Sequence, residues 1–279
     1  MRVQNPRSRF LVPAAAAAVA SLLLASGPAR AADEKEERVE KTLDLSGVQK
    51  VRVQNVNGPV RIESWENPTL SVVAVKRAKG SNAAETLART EVRIEKTATA
   101  VDIETILPKD RGWSFFWWWG RPSAEVSYEL KLPPAVAVQV ETVNGRIMAD
   151  RRTGPLVLNT VNGSIRVSGQ EGPVRANTVN GSVEVSFAGL ARKSDLETVN
   201  GSVTVTAARE SSIRYSLQTV NGRIRSEFAD LRVEGKWGPK EARGELNGGR
   251  EAVSIETVNG EVLLQVAEAV AAAPAAPSR

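Results

Sequence analysis

The chain has 279 residues, a formal net charge of +5, no cysteine and no histidine. These absences exclude disulfides, histidine-based catalytic triads, histidine-ligated zinc and imidazole acid–base chemistry near neutral pH. Four of the positive charges lie in the first 31 residues, so the rest of the chain carries only about +1. We therefore expect no nucleic-acid partner, since such a partner needs a basic surface.

The first 31 residues have the three-part layout of a secretory signal peptide. Arg2, Arg7 and Arg9 precede an apolar run, and Ala29-Arg30-Ala31 supplies a small-x-small cleavage site. The run is short for a membrane span, and no cysteine follows it that could carry a lipid anchor. We expect residues 1–31 to be removed, a charged linker over residues 32–36, and an exported protein of the periplasm or cell envelope, or an extracellular one.

A four-residue motif then recurs along the chain. Asn-Val-Asn-Gly lies at 55–58, and Thr-Val-Asn-Gly at 142–145, 160–163, 178–181, 198–201, 219–222 and 257–260. The middle spacings of 18, 18, 20 and 21 residues indicate stacked units with a period near 20. Apolar and polar residues alternate on both sides of each motif, which predicts two half-buried strands per unit with Asn-Gly at the bend.

This pattern predicts an all-β fold with two possible architectures. Asn-Gly is a preferred hairpin turn, which would give an antiparallel meander or barrel. Alternatively, each unit is one rung of a β-solenoid or β-roll, with equivalent residues stacked about 4.8 Å apart. We favour the solenoid, because inward-facing Asn amides could then bond to one another and avoid a cost of ~1–3 kcal/mol each. The predicted structural ladder is Asn57, Asn144, Asn162, Asn180, Asn200, Asn221 and Asn259. In this architecture the motif glycine is expected to supply a positive φ at the corner.

The motifs also carry a family resemblance. Recurrent Thr-Val-Asn-Gly followed by Ser or Arg and then Val or Ile, behind a signal peptide, resembles the bacterial putative-adhesin family of exported β-strand-repeat domains of unknown function. The stretch VRVQNVNGPVRIESWENPTLSVVAVKRA, from residue 51, is similar to that family's opening rung. The resemblance covers about residues 37–266, implies attachment at the cell envelope and transfers no catalytic residue.

The repeat domain, residues 37–266, is interrupted by a β-rich insertion at about residues 65–135 between the first rung and the others. Within it, AAETLART predicts a short helix capped by Ser81 and Asn82. The 38-residue spacing after Asn221 predicts a degenerate rung or a Gly-rich loop. Residues 267–279 form an Ala/Pro tail that we expect to be disordered.

The segment RGWSFFWWWGRP, residues 111–122, is the strongest candidate for partner binding. Its candidate residues are Trp113, Phe115, Phe116, Trp117, Trp118 and Trp119. Consecutive aromatics point to both faces of a strand, so one sheet face cannot bury them all. They fit a plug over an open solenoid end, a docking loop for a membrane or a protein groove, or a platform for sugar rings.

The polar residues predict no catalytic, cofactor-binding or metal site. Glycosidases need two carboxylates about 5–9.5 Å apart. In chain order, the outward column before the bend gives no adjacent pair: Gln54, Glu141, Asn159, Asn177, Glu197, Gln218, Glu256. We expect a non-enzymatic, adhesin-like binding or scaffolding protein, with an envelope protein, a glycan or a membrane surface as partner. The alternatives are an envelope sensory or regulatory protein that docks through the Trp-rich loop, and a polysaccharide-active enzyme on a β-helix.

Overall fold

The computed structural model describes residues 34–107, 124–228, 231–235 and 238–267. Within these ranges the chain forms twenty strands and one helix. The helix is α1, Ala83–Arg89. The strands are β1 Glu34–Asp44, β2 Lys50–Gln54, β3 Val60–Ser64, β4 Thr69–Lys79, β5 Glu91–Lys96, β6 Ala100–Ile106, β7 Glu125–Leu132, β8 Ala137–Asn144, β9 Ile147–Asp150, β10 Leu156–Asn162, β11 Ile165–Gln170, β12 Val174–Asn180, β13 Val183–Phe187, β14 Ser194–Asn200, β15 Val203–Ala207, β16 Ile213–Asn221, β17 Ile224–Ser226, β18 Lys240–Leu246, β19 Glu251–Asn259 and β20 Val262–Val266.

The strands form two ten-stranded sheets that share one apolar core. The strand order is β1-β4-β7-β3-β9-β11-β13-β15-β20-β17 in sheet A and β18-β16-β19-β14-β12-β10-β8-β2-β6-β5 in sheet B. In most of the rung strands alternate residues are buried between the sheets, as at Leu158, Ile165 and Leu196. This alternation is the period-two pattern of the sequence.

Eight strand pairs, each with one strand in sheet B and the next in sheet A, form the rungs of a solenoid. Their order in the stack is β6/β7, β2/β3, β8/β9, β10/β11, β12/β13, β14/β15, β19/β20 and β16/β17. Neighbouring rungs pair in parallel and in register, so that Asn162 lies beside Asn144 and Asn180. The predicted β-solenoid is confirmed, and the alternative antiparallel meander or barrel is wrong.

The stack departs from chain order at both ends, which the sequence spacing did not indicate. Rung β6/β7 lies outside β2/β3, and rung β19/β20 lies between β14/β15 and β16/β17. The long connection before β6 lets the chain place a rung outside β2/β3 before it continues on the other side at β8. The long connection after β17 lets the chain return to a position in the stack that it had skipped. Antiparallel strands extend the sheets beyond the end rungs, with β4 on β7 and β1 on β4, β5 on β6, and β18 on β16. The insertion is therefore continuous with the solenoid core, to which Leu70, Val101 and Val126 belong.

The N-terminal boundary also differs from the expectation. Residues 34–36, expected in a linker, belong to β1, which pairs with β4 along its whole length. Ion pairs support this pairing, since Glu36 lies 2.9 Å from Arg77 and Glu37 lies 2.8 Å from the buried Lys76. The charged residues therefore form the outer strand of sheet A, where charge discourages edge-to-edge association.

The motif corners are held by hydrogen bonds between rungs. Each Asn amide donates to the Asn of the adjacent rung, as Asn180 Nδ2 does to Asn162 Oδ1 at 2.8 Å, and the series runs unbroken from Asn57 to Asn221. The buried Thr178 hydroxyl donates to Gly163 O at 2.9 Å, and Thr198 does the same to Gly181 O at 2.8 Å. The Asn side chains of the Thr-Val-Asn-Gly motifs are exposed, and that of Asn57 is half-buried. The expectation that they face inward is wrong, because strand alternation ends at the corner, where the motif Val and Asn both face solvent.

The motif glycines serve close packing between rungs. Among them only Gly58 has a positive φ, at 115°. A Cβ atom on Gly163 would lie 2.0 Å from the carbonyl oxygen of Gly145, and one on Gly201 would lie 2.0 Å from that of Gly181. The expected positive-φ corner is therefore wrong for Thr-Val-Asn-Gly, where glycine is needed because adjacent corners leave no room for a side chain.

The predicted short helix is present as α1, with Ala83 and Leu87 buried. Asn82 is its N-cap residue, but the Asn82 side chain makes no capping hydrogen bond, so the predicted side-chain cap is wrong. Its φ of −101° and ψ of 15° lie outside the β region typical of capping residues. In the described ranges, no helix is both long enough and apolar enough to cross a membrane.

Candidate functional site

The six aromatic candidates, Trp113 to Trp119, lie outside the described residues, but the strands on either side of them are well defined. Thr105 Oγ1 donates to Asn55 Oδ1 at 2.9 Å, and Val126 N donates to Asn57 O at 2.8 Å. The end of β6 and the start of β7 therefore lie at the edge where the other rungs carry Asn-Gly. Sequence reasoning missed this rung because Thr105 is the only motif residue that it keeps.

The motif valines form an exposed apolar stripe along sheet B. Each is between 38% and 41% exposed, and the stripe runs Val143, Val161, Val179, Val199, Val258, Val220. Their strands are adjacent, so neighbouring valines lie about 4.8 Å apart. We call this set the valine stripe. The sequence contained the signal, since Val stands at an outward position of every Thr-Val-Asn-Gly, between a buried Thr and an exposed Asn.

A row of polar side chains lies beside the valine stripe on the same outer face. In spatial order this polar row is Glu104, Gln54, Glu141, Asn159, Asn177, Glu197, Glu256, Gln218, Glu241. The exchanged order of the last two motif rungs places Glu197 directly beside Glu256. The sequence-based conclusion that this column has no adjacent carboxylate pair is therefore wrong.

At the C-terminal end of the stack, the polar row becomes the floor of a groove. Part of its lining comes from Glu234, Gly235, Pro239, Lys240 and Glu241, and the volume is about 650 Å³. We call it the acidic groove; its ionisable and apolar lining includes Glu197, Glu234, Lys240, Glu241, Glu256, Val179, Val199, Val220 and Val258. Lys240 is its single cation among the described residues, and the Lys240 Nζ donates to Gly222 O at 2.8 Å.

Electrostatics in the groove are unfavourable around Glu197. Burial raises the pKa of the Glu197 carboxyl, and the negative charges of Asp195 and Glu256 raise it further. On the other side, Asn177 Nδ2 donates to Asn159 Oδ1 at 3.0 Å, which leaves its Oδ1 on the Glu197 side. That oxygen is buried and has no hydrogen-bond partner in the described ranges. The side-chain oxygens of Asn177, Glu197 and Glu256 thus lie on adjacent strands, and no described residue donates a hydrogen bond to them.

Several charged side chains on the outer face of sheet A form ion pairs. Arg166 Nε lies 2.8 Å from Glu184 Oε2, and Arg61 Nε lies 2.7 Å from Glu63 Oε1. Pairs of this kind lie across neighbouring strands or two residues apart along one strand. Among the described residues, no group of three His, Cys, Asp or Glu side chains could hold a metal ion.

Several solved structures resemble this chain at low sequence identity. A putative cell adhesion protein from Clostridium sporogenes is 13% identical, with a TM-score of 0.45 over 84% of this chain and 100% of its own. A putative adhesin from Bacteroides fragilis is 6% identical, with a TM-score of 0.40 over 83% of this chain and 97% of its own. A putative lipid binding protein from Parabacteroides distasonis is 8% identical, with a TM-score of 0.25 over 85% of this chain and 97% of its own.

Among curated proteins, none matches the sequence. The model of the Toastrack DUF4097 family matches residues 34–265, which include all of the solenoid rungs except the last residue of β20. The chain therefore belongs to the Toastrack DUF4097 family.

Proposed function

We propose that this chain is an exported, non-enzymatic binding or scaffolding protein of the bacterial envelope, and that it binds through the outer face of sheet B. The observation that carries the proposal is the valine stripe. Contiguous exposed apolar patches larger than a few hundred Å² are uncommon on monomeric proteins and often mark an interaction site. The rigid rungs hold these valines at a fixed spacing, so little conformational entropy is lost when a partner binds.

Export is part of the same proposal. Residues 1–31 have the features of a secretory signal peptide, and the cysteine-free solenoid needs no disulfide for stability in an oxidising compartment. On this proposal the signal peptide is removed, and the solenoid domain acts in the periplasm or at the cell surface.

The test is co-sedimentation of the mature protein with peptidoglycan, insoluble envelope polysaccharide, liposomes and washed envelope membranes. We expect one fraction to carry the protein down, and the triple variant Val179→Ser/Val199→Ser/Val258→Ser to lose that binding while keeping its circular dichroism and melting temperature. Undiminished binding by the triple variant would contradict the proposal. If Trp117→Ser/Trp118→Ser/Trp119→Ser alone abolishes binding, the docking function through the Trp-rich segment is favoured instead.

A polysaccharide-active enzyme is the second candidate, because Glu197 and Glu256 are adjacent and the pKa of Glu197 is raised. A proton donor beside an ionised carboxylate is what glycoside hydrolysis requires. Release of reducing ends from envelope polysaccharide, abolished by Glu256→Gln, would support this function. No release above the level of the Glu256→Gln variant would leave binding as the function.

A further inference from the structure

The acidic groove also has features that indicate the chemistry of a partner. We propose that the acidic groove binds an extended basic peptide segment of a partner protein. This inference rests on the proposed function. A lysine or arginine side chain of that segment would lie between the carboxylates of Glu197 and Glu256. The inference names both the class of partner and the part of the outer face that it contacts.

The first observation that supports the proposal is negative charge in the groove that no ion pair neutralises. The neighbouring acids have cations, since Asp195 lies 3.0 Å from Arg175 and Glu241 pairs with Arg243. Within the described ranges, neither Glu197 nor Glu256 forms an ion pair. Two adjacent carboxylates without a cation repel each other, and a bound cation removes that repulsion.

The arrangement of acceptors fits an amino-acid cation. Asn177 Oδ1 lacks a hydrogen-bond partner in the described part of the chain, and it adjoins Glu197, which adjoins Glu256. An ammonium group has three N–H donors and no acceptor, and a guanidinium has five. Strands about 4.8 Å apart allow one such group to reach more than one of these oxygens.

The apolar part of the groove fits the rest of such a side chain. Val199 and Val258 follow Glu197 and Glu256 by two residues on the same strands, and all four residues line the groove. Lys and Arg side chains lay their methylene stems on apolar surface while the charged end remains with polar groups. The groove therefore offers an apolar strip for the stem and a carboxylate pair for the charge.

The same charges disfavour other partners. Nucleic acids and anionic lipid surfaces carry negative charge and would be repelled by four carboxylates. A second copy of this chain is disfavoured as well, because a two-fold contact through the groove would bring the same carboxylates together. A basic peptide is the partner whose charge complements the groove.

The test measures fluorescence anisotropy of a labelled, acetylated peptide of alternating Lys and Val with the mature protein. We expect saturable binding that weakens as salt is added, and about tenfold weaker binding by Glu197→Gln/Glu256→Gln, since that variant lacks both carboxylates that pair with the cation. The matched control is Glu141→Gln, which changes a polar-row carboxylate outside the groove lining and should bind as the wild type does. A peptide of alternating Glu and Val should not bind.

Equal affinity of the double variant and the wild type would overturn the inference. So would equal weakening by Glu141→Gln, an absence of saturable binding, or binding of anionic vesicles instead of the peptide. The proposed function is tested by co-sedimentation, so its failure can be distinguished from failure of this inference. If the peptide does not bind but co-sedimentation still depends on the valine stripe, only the inference is lost, whereas loss of both results rejects both.

Discussion

Replacement of a motif glycine by alanine should destabilise the solenoid, and Gly163→Ala is the most informative case. The new Cβ would lie 2.0 Å from Gly145 O, well short of an ordinary contact of about 3.5 Å. The two corners must separate, which strains the bonds Gly145 N to Asn162 O at 3.1 Å, Gly163 N to Asn180 O at 3.0 Å and Asn162 Nδ2 to Asn144 Oδ1 at 2.8 Å. At about 1 kcal/mol per bond, we expect a loss of roughly 3 kcal/mol in the free energy of unfolding.

Urea denaturation followed by circular dichroism measures this loss, and thermal melting should show a decrease of about 6–12 °C for a domain of this size. The matched control is Gly189→Ala, because a Cβ atom on Gly189 would have no neighbouring atom within 4 Å and the residue has no positive φ. That variant should be as stable as the wild type or more stable by up to ~1 kcal/mol, since alanine restricts the unfolded chain. Equal stability of Gly163→Ala and Gly189→Ala would refute the close-packing explanation.

Three further predictions concern buried or crowded polar groups. Burial raises the pKa of Tyr128 to about 12. Because the unfolded tyrosine ionises near pH 10, the free energy of unfolding should fall as pH rises from about 10 to 12. Ultraviolet absorbance titration should show a tyrosine that ionises near pH 12, and Tyr128→Phe should remove it. Arg152→Ala should lower the free energy of unfolding in urea by about 2–4 kcal/mol, because the fully buried guanidinium donates to backbone carbonyls; an unchanged urea midpoint would contradict this role. The raised pKa of Glu197 means that stability falls as pH rises above the ordinary Glu value of 4.5. Glu197→Gln should therefore melt higher than the wild type at neutral pH and Glu141→Gln should not, as differential scanning calorimetry can measure.

The repeat predicted most of the fold because its physical constraints are local. The alternation of apolar and polar residues predicted which residues of each rung strand are buried. The nearly equal spacing of the motifs indicated parallel stacking of Thr on Thr and Asn on Asn. The Asn-to-Asn hydrogen bonds follow from that register. The direction in which Asn points did not follow, because alternation holds only while the backbone stays extended, and the chain bends at Asn.

The order of the rungs could not be predicted from the sequence. Rungs with Asn200, Asn221 and Asn259 carry the same motif, so each can pair with any other, and long connections permit an exchange. That exchange decides the site, because it places Glu197 beside Glu256 in place of Gln218. The buried network of Asn55, Thr105 and Tyr128 is a second example. It depends on a rung whose corner lacks Asn-Gly, so the motif search did not find it.

In the proposed function the outer face of sheet B contacts the partner, and the protection of single cysteines from labelling measures that contact. The chain has no cysteine of its own, so one introduced thiol reports one position. Val199→Cys reports the valine stripe, and Thr204→Cys, half-buried on the outer face of sheet A, is the matched control. The rate of maleimide labelling would be measured with and without the envelope fraction that co-sediments with the protein. The account predicts that this fraction slows labelling of Val199→Cys and leaves Thr204→Cys unchanged; equal rates at Val199→Cys with and without the fraction, or protection of Thr204→Cys alone, would contradict it.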